Sequence, residues 1–359
     1  MQHGNEVVIQ GFNDGFKDFP VDLKFEKPWN SGWKKKVKVG IYKLTGFDLT
    51  SYCIYQKFLK YKSKFSGFDV VQLINENSFS CQPEYEIKIL KFLFEQNKKV
   101  FLLSCGDDFL NVKYNFRNPE NKSVVQPYLA GKIKDKYFLN VLKFREEGFK
   151  KLHEYIYANI SGVIATDMDY HLPLIGNAKY LGLIPNPVNV DQIAFQPLKI
   201  EDKIVIFLGI NEQNYYNKGG DHFENALQYI SKKYADKVEI IISRNIPYTA
   251  YIQLYDRAHI LLDQTYSQDQ GYNALEAMAK GKVVFTGAEA SFLEFYRLEK
   301  PVNVNSLPNV QSIVKDLCYL IEHPDEIVAI GKNARDFIEK EHDYIKIAQR
   351  YLNRWAKII

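Results

Sequence analysis

The sequence predicts an α/β protein built from two doubly wound parallel sheets. Apolar strand-like runs alternate with helical patterns, the arrangement that βαβ units require. Residues 259–287 read strand, loop, helix, strand, which sets a helix N-terminus at the carboxyl edge of a parallel sheet. The length of 359 residues suits two domains, and prolines and polar residues cluster at 185–203, where a boundary belongs. Residues 1–185 are therefore assigned to a first domain, 186–341 to a second and 342–359 to a closing helix.

In the first domain, strands are expected at 6–10, 68–74, 99–104 and 162–166, and helices near 50–64, 84–96 and 138–159. In the second domain, strands are expected at 204–209, 238–243, 259–263, 283–286 and 302–305. Its helices are expected near 219–234, 248–257, 272–280, 310–323 and 324–341. In a doubly wound sheet the first strand is central, yet only five residues precede Glu6. The pattern predicts a further strand–helix piece of about 30 residues upstream of Met1. The alternative makes 6–10 itself the first strand.

The composition excludes several classes. With 46% hydrophobic and 25% charged residues, it is that of a soluble globular protein. No run approaches eighteen apolar residues, and the N-terminus lacks a basic-plus-apolar signal segment. Cys53, Cys81, Cys105 and Cys318 are scattered without a C-x-x-C pair. That argues against zinc or a disulfide framework and fits a reducing cytosol. Residues 1–180 hold 27 Lys and Arg against 20 Asp and Glu, a charge of +7, whereas the remainder carries −3. No nucleic-acid-binding module accompanies this asymmetry. It reads either as a domain that sits at an anionic membrane face or as an ordinary lysine-rich surface. The first reading makes the protein cytoplasmic and peripheral at the inner membrane face. Residues 51–65 interleave aromatics with Lys57, Lys60, Lys62 and Lys64, which suits an interfacial helix or an amphipathic helix packed on the sheet.

GYNALEAMAKG, residues 271–281, is the most informative stretch. Free backbone N–H groups at the start of its helix make an anion site. Glu276 sits about one turn in, where a carboxylate can face ligand hydroxyls. Lys218 precedes Gly219 and Gly220 at another helix start, a setting that suits a diphosphate. Asp107 and Asp108 end the strand KVFLLS and read either as acids able to orient a hydroxyl or take its proton, or as a strand-end turn. Asp167 and Asp169 form a D-x-D, a pair that elsewhere holds a metal on phosphates, or, with His171, lines a cleft. Asp263 and Gln264 end a strand and either anchor the loop or touch the ligand.

The stretch 271–281 resembles the signature of GT-B glycosyltransferases of the retaining family 4, or group 1, type. There a run of the form E-G-F-G-(x)4-E-A-M-A-x-G holds a nucleotide sugar. PNPVN at 185–189 resembles the P-N-G-V-D turn that opens the donor half of those enzymes. IVIFLGINEQNYYNKGGDHFENAL at 204–227 resembles their strand–loop–K-G–helix block, and the last helix resembles one that crosses back onto the first domain. The resemblance implies two Rossmann-like domains and a retaining hexosyltransferase that moves a sugar from a nucleoside-diphosphate sugar to a glycan or lipid-linked acceptor, in surface polysaccharide or glycolipid synthesis.

It also implies roles. Lys218 would meet the pyrophosphate. Gly271, Tyr272, Asn273, Ala274, Leu275 and Glu276 would hold the donor, with Asn186 at the hinge turn. Catalysis would rest on Asp107 or Asp108, Lys218 and Glu276, with no cofactor and no metal. Two positions depart from the family pattern. Gln268 stands where a second glutamate is usual, and Ile210 and Asn211 follow Gly209 where an arginine is usual, leaving Arg244 as a substitute by position. These departures keep open a non-catalytic nucleotide-sugar-binding homologue and a GT-B-fold nucleotide-sugar epimerase.

Overall fold

The computed structural model describes residues 4–12 and 20–358. It divides into two compact units, residues 1–104 with 144–163, and residues 105–143 with 164–359.

In the first unit β1 (Gln10–Gly11) pairs in parallel with β2 (Leu23–Lys24) as a separate two-stranded ribbon. The strand expected at 6–10 is thus reduced to its last residue and stays out of the main sheet. Val7, Val8 and Ile9 remain exposed, so their apolar run marks no buried strand. The helix Gly32–Thr45 was not foreseen, because it buries none of its residues and so carries no apolar face to read. A four-stranded sheet contains β3 (Val70–Ile74), β4 (Lys99–Ser104), β5 (Gly162–Ala165) and β6 (Tyr180–Leu183), in that order, with β6 counted in the second unit. The helix Leu49–Tyr61 turns Ile54 and Phe58 inward, and Phe58 meets Phe65 and Phe79 edge-on or tilted. The apolar face of the lysine-rich stretch is therefore packed on the core.

The single helix expected at 138–159 is broken into Asp135–Leu142, a tight turn Lys143–Arg145 and Glu147–Asn159. Phe144 and Phe149 are both buried. Five residues apart, they would lie on different faces of one helix. The turn brings their rings to 5.3 Å.

The sheet of the second unit runs β11-β10-β9-β7-β8, from β7 (Ile204–Ile210), β8 (Val238–Arg244), β9 (Ile260–Leu262), β10 (Val283–Thr286) and β11 (Val304–Asn305), with parallel pairings. β11 is shorter than the expected 302–305. Burial on both faces explains the near-continuous apolar strands. On one face Ile204, Ile206, Leu208, Ile260 and Phe285 pack against Phe223, Leu227, Ile313 and Leu317. On the other, Phe207, Leu261 and Val284 pack against Leu275, Met278, Phe292 and Phe337. Each fully buried side chain of this kind contributes about 1.5–3 kcal/mol.

The closing helix is Tyr344–Ala356, after a π turn at Ile338–His342. His342 is buried and donates from Nδ1 to the Asn186 carbonyl at 2.8 Å. Burial lowers its pKa to about 4, so the ring is neutral. The Val188 N–H donates to the His342 carbonyl at 2.7 Å. Asn186 thus lies on a turn stitched to the start of the closing helix.

Candidate functional site

The order of the second sheet defines a switch point. From central β7 the chain moves to β8, then returns past β7 to β9. Ligands of open parallel sheets bind outside the carboxyl ends of the strands at such a reversal. Two helices start beside it, Gly220–Lys233 after β7 and Tyr272–Ala279 after β9, and neither has a side-chain cap. Uncapped N–H groups at a helix start favour an anion, with the helix dipole adding to the field; at Gly220–Lys233 the Gly220 and His222 N–H groups already donate to the Tyr215 and Gly219 carbonyls. A shallow cleft with a cavity volume of about 10 Å³ lies there, lined in part by Gly209, Asn211, Tyr215, Lys218, Gly220 and Asp263.

Gly219 holds φ at +74°, and a Cβ there would lie 2.1 Å from Thr265 Oγ1. Only glycine allows this turn, and the turn sets Lys218 at the mouth of the cleft. Lys218 Nζ donates to Asp263 Oδ1 at 2.8 Å, and Asn273 Nδ2 donates to the same oxygen at 3.0 Å. The Tyr251 and Tyr255 hydroxyls fix Asn273 through its side-chain oxygen and its carbonyl, at 2.9 and 3.0 Å. Asp263 is buried, so the loop-anchoring reading describes what its carboxylate does here.

The helix Tyr272–Ala279 buries Ala274, Leu275, Ala277, Met278 and Ala279 against the sheet. Small alanines let the helix lie close, and Glu276 falls on the half-buried margin with Gly271 and Asn273, while Tyr272 is half exposed. Residues 271–276 therefore converge on the carboxyl end of β9.

Gln268 is buried and held from two sides. Its N–H faces both carboxylate oxygens of Asp169 at 3.1 and 3.2 Å, and its side-chain amide donates to the Lys122 carbonyl at 2.9 Å. Asp269 returns the contact, accepting from the Met168 N–H at 3.1 Å. Burial and the proximity of Asp269 push Asp169 up to about 7, and burial raises Asp269 to about 6. Asp167, raised by burial and by both neighbours, accepts from the Asp169 N–H as the cap of the helix Met168–Leu174. The D-x-D is thus committed to backbone N–H groups. Among the described residues no group of three or more His, Cys, Asp or Glu is arranged to hold a metal ion. His171 shares a 2.6 Å hydrogen bond with the Tyr180 hydroxyl.

Sequence reasoning missed Lys122 and Glu289. Buried Lys122 reaches Glu289 Oε1 at 2.7 Å, Asn305 Oδ1 at 2.8 Å and the Ser306 carbonyl at 3.1 Å. Burial lowers its pKa, while Glu289 opposes the shift. NPENKS around it carries no motif, so only its contacts reveal it.

Asp107 and Asp108 separate. Asp108 is buried and caps the helix Phe109–Arg117, accepting from the Asn111 N–H at 2.7 Å. Burial raises Asp107 to about 6, against the opposing pull of Lys143. Arg244 lies over the Tyr215 ring and is held by Glu212 at 2.8 Å and by Glu224. Its guanidinium is thus occupied by two carboxylates.

Residues 217–353 match the family model described as glycosyl transferase-like. No curated protein sequence matches the chain. Among solved structures, the chain resembles sucrose-phosphate synthase of Thermosynechococcus elongatus at 16% identity and TM-score 0.57, over 86% of this chain and 78% of that one. It resembles Anabaena HepE, solved with UDP-glucose, at 12% identity and TM-score 0.56, over 92% and 90%. A Listeria monocytogenes protein carrying the name UDP-N-acetylglucosamine 2-epimerase is similar at 9% identity and TM-score 0.50, over 93% and 82%. The chain therefore has the GT-B fold of these structures, and its residues 217–353 match the glycosyl transferase-like family model.

Proposed function

We propose that the protein transfers a sugar from a nucleoside-diphosphate sugar, with UDP as the donor nucleotide, to a glycan or lipid-linked acceptor. The observation that carries this is the pair of uncapped helix starts at the β7–β9 reversal, with Lys218 at their mouth. Lys218 and the N–H groups of residues 272–274 take the diphosphate, since the Leu275 N–H is held by the Gly271 carbonyl, and Glu276 accepts from the ribose hydroxyls. Gly271 and Asn273 shape the loop that receives them. Gln268, fixed by Asp169 and Lys122, borders the sugar. Fixed donors at a departing diphosphate stabilise the transition state with little reorganisation. Asp107 is the acceptor-side base, since a carboxyl near pKa 6 is mostly ionised at neutral pH yet basic enough to take a proton. Asp108 supports it by capping the next helix. Anomeric retention, which the family resemblance implies, would instead have the departing phosphate take the acceptor's proton on the face it leaves, with Asp107 orienting the hydroxyl.

The basic surface of residues 1–180 supports an acceptor held at an anionic membrane. Among the described residues no helix is long and apolar enough to cross one. Purified protein incubated with a panel of nucleotide sugars and analysed by mass spectrometry tests the reading. UDP release that requires an acceptor, with the sugar's mass appearing on it, is expected. The Listeria likeness keeps an epimerase as the competing reading, and conversion of the nucleotide sugar without any acceptor would establish that instead.

A further inference from the structure

A second cavity lies along the closing helix. Arg350, Asn353, Arg354 and Lys357 line it with Leu183 and Ile184 from the end of β6, around a volume of about 320 Å³. Positions 350, 353, 354 and 357 are spaced three and four apart, so their side chains share one face of the helix. Lys218 and the rest of the donor site do not line it. Glu341 bonds Arg350 Nη2 at 3.1 Å, and among the described residues no ion pair engages Arg354 or Lys357. Gly182, at φ +103°, makes room for the Arg354 guanidinium: a Cβ there would stand 3.2 Å from its Nη1. β6 thus gives up a side chain where the arginine lies against it.

We propose that this cavity binds a phosphate ester. Guanidinium forks match phosphate oxygens two by two, and Lys357 adds a point charge. Cations a turn apart on one helix face repel one another, and a bound anion relieves that repulsion. Leu183 and Ile184 supply an apolar wall for the esterified carbon. The concavity separates the cluster from an ordinary solvated basic face, because clefts lined by one sign of charge focus their field. Phospholipid headgroups and soluble phosphorylated molecules both present this group.

Two probes distinguish the sources: glycerol 3-phosphate in low-salt titration calorimetry, and flotation with phosphatidylcholine vesicles with or without phosphatidic acid. The variants are the double substitution Arg354→Gln/Lys357→Gln and a control on exposed lysines elsewhere, Lys300→Gln/Lys332→Gln. We expect glycerol 3-phosphate to bind about tenfold or more weakly to the double variant, as loss of charge-assisted hydrogen bonds implies, and equally to wild type and control. If the ester is presented by lipid, wild type and control float with phosphatidic acid vesicles and the double variant does not. Binding of glycerol 3-phosphate without flotation assigns a soluble ligand. Equal binding of both probes by wild type and double variant overturns the proposal, as does a wild type that binds neither. UDP binding is measured in parallel and should be equal in all three proteins. Its absence throughout would remove the donor reading and leave this cavity untouched.

Discussion

Lys218 Nζ lies 2.8 Å from Asp263 Oδ1, so a cation from the β7 loop and a carboxylate from the end of β9 meet across the switch point of the sheet. The ion pair has a consequence for binding. A diphosphate entering the cleft must share or replace Asp263 as the partner of Lys218. Lys218→Ala should weaken UDP binding by about 0.5–1.5 kcal/mol, a modest figure because the lysine is 39% exposed and partly screened. UMP should be affected less. Asp263→Asn should act in the opposite direction and strengthen pyrophosphate binding, since an amide still accepts from Asn273 but no longer holds the lysine. Calorimetry with UDP, UMP and pyrophosphate checks both signs. A purely architectural ion pair would instead show equal loss in both variants.

Glu276 is expected to read the ribose, not the phosphates. Glu276→Ala should weaken UDP binding by about 1–3 kcal/mol, the cost of unpaired hydroxyls in a partly buried site. Pyrophosphate alone should bind it as it binds wild type. Similar losses for the two ligands would move Glu276 out of the ribose site.

The aspartates after β4 should separate by assay. Asp107→Asn should lower turnover by about 10²–10⁴-fold with donor affinity nearly unchanged, if Asp107 moves a proton. Wild-type activity should fall as pH drops through about 6, where this carboxyl gains a proton, and a residual rate in Asp107→Asn should lack that limb. Asp108→Asn tests the cap: asparagine is itself a good N-cap, so stability and activity should hold. Asp108→Ala should cost about 0.5–2 kcal/mol of stability while activity per folded molecule persists. Full turnover in both Asp107→Asn and Asp108→Ala would send the search for a base elsewhere.

The clamp between Asp169 and the Gln268 N–H predicts a pH-dependent stability of unusual sign. Folding raises Asp169 to about 7 and Asp269 to about 6, above the ordinary aspartate value of about 4. The folded state therefore holds more protons than the unfolded state in this window. Stability is fully present below about pH 4 from these groups and is lost as pH rises through 6 to 7. Asp169→Asn keeps an oxygen for the Gln268 N–H and removes one charge from the cluster. Its melting temperature should fall less than that of wild type between pH 5 and pH 8. At pH 8 it should melt a few degrees higher, since about 1 kcal/mol moves the midpoint by about 2–4 °C in a domain of this size. Parallel curves for the two proteins would show that Asp169 does not titrate there.

Much of the stretch 204–359 was readable in the chain. The strand 283–286 and the helix at Tyr248–Arg257 lie where their patterns put them, because a strand buried on both faces and a helix with one apolar face leave local signatures. Elements without such signatures were missed. The helix Gly32–Thr45 buries nothing, and Phe109–Arg117 and Met168–Leu174 are short helices started by aspartate caps. The break at Lys143–Arg145 escaped notice because the residues on both sides are good helix formers, and only the packing of Phe144 on Phe149 requires it.

By itself the sequence determined the helix 272–279 behind its loop, the glycine turn at Gly219 and the presence of Lys218, Gln268 and Glu276. Each depends on neighbours within a few positions, where propensity and backbone geometry act. The tertiary structure alone decided what those residues touch. Lys218 and Asp263 are 45 positions apart, Gln268 and Asp169 are 99 apart, and Gln268 and Lys122 are 146 apart. No local pattern encodes such pairs. They exist because a parallel sheet gathers the carboxyl ends of strands distant in sequence, and because buried N–H groups and charges must find partners wherever the fold supplies them.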